Sequence, residues 1–321
     1  MIKIVDFTNC PLSSRNLEYG GRAGEKKGII YNDEFWFLKY PKNAKGMRNT
    51  DGLSYVTSPL SEFIGSQIFE LLGYDVHKTI LGICDDGGRK KVVCACKDFI
   101  SDDKNEVLIP YTALKNEASD ELLNRDSKPL EASNINEIIY QLDHNTAFKS
   151  IEGVKERFWD MVLIDILINN NDRNEDNWGV VKNKKDNSYK MAPIYDCGNC
   201  FYSKTSNERV ENILSDRERL KESSLNCITA YEFEGGIEIN ISNIFDIKNK
   251  DLNEAIKRVS DKVYGKLGEI EEFFESIPET YNGIEIMSNL RKKYYLESFK
   301  NRYFLLVRAR AYVLSLKKKT H

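Results

Sequence analysis

No stretch of the 321-residue sequence approaches the roughly 18 consecutive apolar residues that a membrane-crossing helix needs, so a membrane partner is not expected. Nor is one sign of charge in excess. Forty-seven basic side chains stand against 50 acidic ones, a formal net charge of −3, and direct nucleic-acid binding is not expected either. Histidine is scarce. There are three, His77, His144 and His321, and with no H-E-x-x-H and no G-x-S-x-G the metalloprotease and serine-hydrolase readings have no support. The opening MIKIVDFTNCPLSSRN sets Asp6 and Arg15 around a very short apolar stretch and lacks the hydrophobic region of a signal peptide. A cytoplasmic protein is expected, with its odd number of cysteines, seven, in the reduced state. Internal repeats and low-complexity linkers are missing as well.

What is present is the composition of a soluble globular protein, 41% hydrophobic and 30% charged, in a chain long enough to bury most of its surface. Disordered, collagen-like and disulfide-scaffold readings are thereby excluded. The run IIYNDEFWFLKY, residues 29–40, predicts two strands joined by a turn at Asn32-Asp33. A helix should follow, with Ser58 as N-cap, Pro59 at its first position, and Phe63, Ile64, Gln67, Ile68, Leu71 and Leu72 as the stripe at helical spacing. Gly73 is its stop signal. The strands HKTILGIC and KKVVCACKDF then form a hairpin through Asp85-Asp86-Gly87-Gly88. Beyond residue 101 the pattern turns mainly helical. VKERFWDMVLIDILI, residues 154–168, is apolar nearly all round, as a buried helix is. A hairpin near 178–182 and 189–195 and helices near 251–275 and 285–317 complete the chain. A small β-rich part followed by a larger helical one is an α+β arrangement, with a cleft expected between the halves.

The most informative residues run from Asn170 to Gly179, NNDRNEDNWG, directly after the buried helix. A rigid helix thus delivers a polar loop to a fixed place. Asp172 and Asn177 have the spacing D-x-x-x-x-N, and Pro193-Ile194-Tyr195-Asp196-Cys197-Gly198 supplies a D-x-G after the next hairpin. Phosphoryl transfer needs these groups: one carboxylate, Asp172, to orient or deprotonate an acceptor hydroxyl, and one amide oxygen and one carboxylate, Asn177 and Asp196, to hold Mg²⁺ against nucleotide phosphates. Either half alone is also ordinary turn chemistry. The two in order, behind a buried helix, make a stronger pattern.

This order resembles the catalytic loop and metal-binding turn of the HipA-like toxin kinases, in their short single-chain branch. Arg173 after the acidic residue is also similar to the D-R-H-x-x-N loop of phosphatidylinositol kinases. The resemblance implies a bilobal protein-kinase-like fold, with residues 1–100 as a nucleotide-binding N-lobe and 101–321 as a catalytic and substrate-binding C-lobe. It implies ATP and Mg²⁺ as cofactors, a protein acceptor bearing Ser or Thr, autophosphorylation, and an antitoxin as candidate partner. Lys39, at the end of a strand, would neutralise the α- and β-phosphates, and Glu62 would pair with it; a glutamate in a first helical turn also suits the helix dipole. The stretch Gly20–Gly28 would be the phosphate loop, with Gly21, Ala23, Gly24 and Lys26 near the nucleotide, although no Gly-Lys-Ser/Thr ends it. Lys97-Asp98-Phe99 would be the hinge that meets adenine, and Asn174 and Tyr195 would complete the nucleotide site. Asn174 stands where the family often has His. Its regulatory serine has no counterpart between Gly20 and Gly28, and Ser13 and Ser14 are distant candidates.

Two other features have structural readings. Cys197-Gly198-Asn199-Cys200 is a C-x-x-C, but Asp196 and Gly198 already account for that turn, and the spacing of Cys94 and Cys96 does not make a zinc knuckle. Asp165, inside the apolar helix, is expected to hold N–H groups of the following loop. The reading is a serine/threonine protein kinase. A lipid or small-molecule phosphotransferase on the same scaffold, or a non-catalytic nucleotide-binding module, stays open.

Overall fold

The computed structural model describes residues 1–15, 26–45, 53, 55–100, 105–120, 133–227, 229–233, 237–244, 247 and 249–318. Of the expected phosphate loop, Gly21, Ala23 and Gly24 lie outside the described residues, whereas Lys26 lies within them. The chain divides into two compact units. One comprises Met1–Phe99, Asp196–Asn226 and Tyr264–Asn301; the other comprises Ile100–Tyr195, Cys227–Val263 and Arg302–His321. No helix among the described residues is long and apolar enough to cross a membrane.

In the first unit, strands β1 (Val5–Asp6), β2 (Lys26–Tyr31), β3 (Glu34–Lys39), β4 (Thr79–Asp85) and β5 (Lys90–Lys97) form one sheet in the order β1-β4-β5-β3-β2. Asn32 and Asp33 take φ of 50° and 61°, the left-handed pair that a two-residue hairpin demands, and they set Tyr31 opposite Glu34 and Lys26 opposite Lys39. Because side chains alternate across a strand, this register divides the chemistry between two faces. Trp36 and Leu38 join Phe7, Ile29, Val93 and Ala95 in an apolar core cluster. Lys39 sits opposite Cys94 and Phe37 opposite Cys96, on the other face.

Helix α1 (Ser58–Leu71) packs on β4 and β5. It begins one residue earlier than expected. Thr57, not Ser58, occupies the N-cap, and no side chain caps the helix, because the Thr57 hydroxyl donates to Ser203 O at 3.2 Å. Gly73, at φ 81°, ends it as anticipated, its N–H donating to Glu70 O.

The second unit opens with β6 (Glu106–Pro110), α2 (Tyr111–Asp120), β7 (Ser133–Asn134), α3 (Ile135–His144), α4 (Thr146–Lys149) and α5 (Val154–Ile168). Twelve of the fifteen residues of α5 are buried, which is why its sequence shows no polar face. Asn169, at φ 53°, turns the chain out of the helix. Strands β8 (Gly179–Asn183) and β9 (Tyr189–Met191) pair with β6 in the order β6-β8-β9. The loop between α5 and β8 is tied down at its far end by Trp178, which stacks on Tyr111 at 4.4 Å and packs against Phe158 of α5.

The remaining elements are α6 (Asn207–Leu214), α7 (Arg217–Leu225), β10 (Tyr231–Phe233), β11 (Ile237–Glu238), α8 (Lys250–Ser276), β12 (Thr280–Tyr281), β13 (Ile284–Glu285) and α9 (Asn289–Lys318). Tyr295, Phe299, Leu306 and Val313, which share a face in the sequence of α9, are all buried.

Candidate active site

Lys39 ends β3 with its Nζ 2.8 Å from Glu62 Oε2 and 2.8 Å from Asp196 Oδ1. Three residues that are 23 and 134 positions apart in the chain thus converge on one ammonium group. Glu62 lies in the second turn of α1, past the first turn where it was expected, and is fully buried. Its carboxylate therefore serves the lysine and not the helix N-terminus. Burial disfavours the Lys39 charge, but Asp196 and Glu62 outweigh that and hold the ammonium well above the usual lysine range. Burial likewise pushes the Glu62 and Asp196 carboxyls up, and the lysine overrides it, so both remain below the ordinary carboxylate range. Asp196 is the most exposed of the three, its side chain 38% accessible against 13% and 0% for Lys39 and Glu62.

The D-x-G turn is seated by a close approach of backbones. Asp196 takes φ 59°, a left-handed conformation that Asp tolerates better than most residues. A Cβ on Gly198 would stand 3.2 Å from Glu62 Oε2. A Cβ on Gly65 of α1 would stand 2.7 Å from the Cys197 Cβ and 2.9 Å from the Cys200 Sγ. Two glycines, one on each side, let the turn bearing Asp196 lie flush on the helix bearing Glu62. Cys197 and Cys200 are both buried in this packing, and Cys200 Sγ donates to Ser61 O at 2.9 Å.

The second unit holds the Asp172–Asn177 loop. Asn174 Nδ2 donates to Asp172 Oδ1 at 3.2 Å, and Asn177 Nδ2 donates to Asp172 O at 2.6 Å. The amide nitrogen of Asn177 is committed within the loop, which leaves its Oδ1 as the atom suited to a cation. Beneath the loop lies a residue whose importance the sequence reading missed. Arg173 is fully buried; its Nε donates to Asp165 Oδ2 at 2.8 Å and its Nη2 to Asp165 Oδ1 at 3.1 Å. Its Nη1 reaches Asn177 O at 3.0 Å and also donates to Tyr195 O. One guanidinium therefore links α5, the end of the Asp172–Asn177 loop and the residue just ahead of Asp196 in the chain. Asp165 does hold the loop, as expected, but through side-chain donors, Arg173 and Asn170 Nδ2 at 2.9 Å, in place of backbone N–H groups. A buried acid eight residues before a loop arginine was the available signal.

The other expected residues are placed as follows. Lys26 lies over the Phe37 ring and contributes to keeping Asp196 ionised. Lys97 pairs with Glu34, and Asp98 with Arg15 at 2.9 Å. The backbone N–H groups of Lys97 and Asp98 already donate to Lys78 O and Phe35 O, so a donor to adenine from this segment is some other group. Tyr195 OH donates to Asp176 O at 2.9 Å. Ser13 is buried, and its backbone N–H donates to Gly28 O. A ligand atom from each of Glu62, His77 and Cys96 lies within 4.8 Å of the others, but Glu62 is already engaged by Lys39.

A strand lysine clamped by a helix glutamate and a D-x-G aspartate, together with an Asp-to-Asn loop behind a buried helix, defines a phosphotransferase with a kinase-like fold. Over nearly its whole length the chain is similar to the serine/threonine-protein kinase CtkA of Helicobacter pylori, 28% identical over 320 residues that cover 98% of this chain and 91% of the relative. The crystal structure of the H. pylori proinflammatory kinase CtkA matches with a TM-score of 0.82 at 26% identity, covering 98% of this chain and 99% of that one. A more distant likeness, of fold alone, is to HipA of Shewanella oneidensis MR-1, solved with HipB and operator DNA: TM-score 0.50, 12% identity, 94% of this chain and 67% of that one. No family model matches the chain.

Proposed function

We propose that the protein is an ATP- and magnesium-dependent serine/threonine protein kinase of the HipA-like type, transferring the γ-phosphate to a protein hydroxyl and also to itself. The observation that carries this reading is Lys39 held 2.8 Å from both Glu62 and Asp196. An ammonium fixed in this way is a ready counter-charge for α- and β-phosphates. The donor set fits magnesium. Asp196 and the Oδ1 of Asn177 are hard oxygens, and Mg²⁺ takes one or two such protein ligands and completes its shell with phosphate and water. When bound, the ion would neutralise charge on the transferring phosphoryl group.

The protein's own groups do the rest. Lys39 draws the phosphates into register. Asp172, oriented by the amide of Asn174, accepts the proton of the attacking hydroxyl. The charge spread over the phosphoryl oxygens would be met by fixed groups such as the Lys39 ammonium, so most of the rate would come from placement and electrostatics. An antitoxin partner fits the likeness to a HipA solved with HipB.

The deciding experiment is incubation with γ-labelled ATP and Mg²⁺, alone and with a cell extract, beside the Asp172→Ala variant. Label should appear on Ser or Thr of protein and vanish in the variant. Label confined to lipid or small molecules would redirect the reading to a different acceptor, and equal labelling by Asp172→Ala would end the role given to Asp172.

A further inference from the structure

The carboxylate of Glu62 has two oxygens, and Lys39 uses one. The other, Oε1, lies 3.0 Å from Nε2 of His77. His77 sits in the connection between α1 and β4 and is buried at 2% exposure. The same Nε2 lies 3.2 Å from the Ser66 hydroxyl, one helical turn beyond Glu62 on α1. One ring nitrogen thus meets two side chains four residues apart on a single helix face. The approach is a close polar contact and not an aligned hydrogen bond.

The other ring nitrogen argues that this is more than core packing. Nδ1 is buried and has no hydrogen-bond partner among the described residues. An unsatisfied buried polar atom costs about 1–3 kcal/mol, and a histidine kept only for stability should have both nitrogens bonded. Here Nε2 is the ring atom that meets both Glu62 and Ser66, and Nδ1 is left without a partner among the described residues.

We propose that His77 is a positioning residue, which fixes the Glu62 carboxylate and through it the Lys39 ammonium. This rests on the reading of Lys39 as the phosphate lysine. Lys39 is shared between two carboxylates, and one of them, Asp196, is the proposed magnesium ligand. When Asp196 turns to the cation, Glu62 is the carboxylate that keeps Lys39 in place. A glutamate held by the lysine alone could follow it toward the phosphates. A glutamate with His77 at 3.0 Å behind it is held back, because its second oxygen also has a polar neighbour, in the α1–β4 connection.

The test uses the full-length protein and the affinities of Mg·ATP and of adenosine, which lacks the phosphates Lys39 would meet. His77→Leu fills the space without a donor, and His77→Gln restores an N–H near the position of Nε2. We expect His77→Leu to weaken Mg·ATP about tenfold, equivalent to about 1.4 kcal/mol, with adenosine unchanged and His77→Gln within about threefold of wild type by the same conversion. Equal loss for both ligands, or no loss in a folded His77→Leu protein, overturns the proposal. Should His77→Leu not fold, His77→Ala gives a second variant without the donor, and unchanged Mg·ATP affinity in that folded protein is equally fatal. Lys39→Met is the control that separates the two layers. If it leaves Mg·ATP affinity intact, the phosphate-lysine reading fails; if it alone weakens binding, the role of His77 fails and that reading stands.

Discussion

Replacing Asp165 by Asn removes one charge from a buried pair and tests how the Asp172–Asn177 loop is held. The Arg173 guanidinium is fully buried and Asp165 is 1% exposed. Two of its donors, at 2.8 and 3.1 Å, go to this one carboxylate. Asparagine is nearly the same shape, but it offers one acceptor oxygen and turns an NH₂ toward the other guanidinium donor. Removing one partner of a buried ion pair strands the other charge and costs about 3–5 kcal/mol. At about 2–4 °C per kcal/mol for a domain of this size, the melting temperature should fall by about 6–20 °C. Thermal melts followed by circular dichroism read this directly. The companion variant, Asp165→Leu with Arg173→Met, removes both charges and should recover part of the loss, since a buried pair replaced as a unit is often close to neutral. It should not recover phosphate transfer, because Asn177 O and Tyr195 O lose the donor that fixes the loop. An Asp165→Asn protein melting within about 3 °C of wild type would mean that the pair contributes under about 1.5 kcal/mol, and the account of the loop would be wrong.

Asp172→Ala should abolish labelling from γ-phosphate yet keep Mg·ATP affinity within about threefold by calorimetry; affinity lost along with activity would place Asp172 among the binding groups instead. Asp196→Ala should weaken nucleotide binding in Mg²⁺ more than in EDTA, and equal weakening in both would contradict its role as a metal ligand. Gly65→Ala puts a methyl 2.7 Å from the Cys197 Cβ. Overpacking of this kind costs about 1–3 kcal/mol, and because the turn that moves carries Asp196, Mg·ATP affinity should fall with stability; a variant with wild-type melting and affinity would show that the close packing is not needed. The Glu62 carboxyl, raised by burial but held lower overall by Lys39 and His77, makes a pH prediction. Its folded value lies below the unfolded one, so the unfolded chain takes up the proton first. The stabilisation is complete above about pH 5 and drains as pH falls through and below the unfolded value of about 4.3. Urea midpoints of the wild type should drop more steeply between about pH 5 and pH 3 than those of Glu62→Gln, and parallel curves would contradict the assignment.

Much of the local structure was legible because it depends on near neighbours. Asn32-Asp33 can adopt the left-handed pair of a tight hairpin, and the unbroken apolar character of residues 154–168 leaves no face for water. The start of α1 was misplaced by one residue for a non-local reason: the Thr57 hydroxyl is drawn to Ser203, 146 positions away. His77 went unremarked as functional, and Arg173 was noted only for its likeness to a lipid-kinase loop, because each looks ordinary beside its neighbours. Only the pairing of His77 with Glu62 and of Arg173 with Asp165 gives them meaning.

The sequence by itself pointed to the kind of chemistry, since the spacing of Asp172 and Asn177 and the D-x-G at Asp196 are covalent facts that no folding alters. It also determined most of the elements that carry them, through alternation, helical periodicity and turn residues. The tertiary structure decided which charges meet. Lys39, Glu62 and Asp196 share one ammonium because β3, α1 and the turn after Tyr195 are packed together with glycine at the contact. Electrostatic energy in a poorly hydrated interior depends on distances of a few ångströms, and such distances are set by packing between segments far apart in the chain.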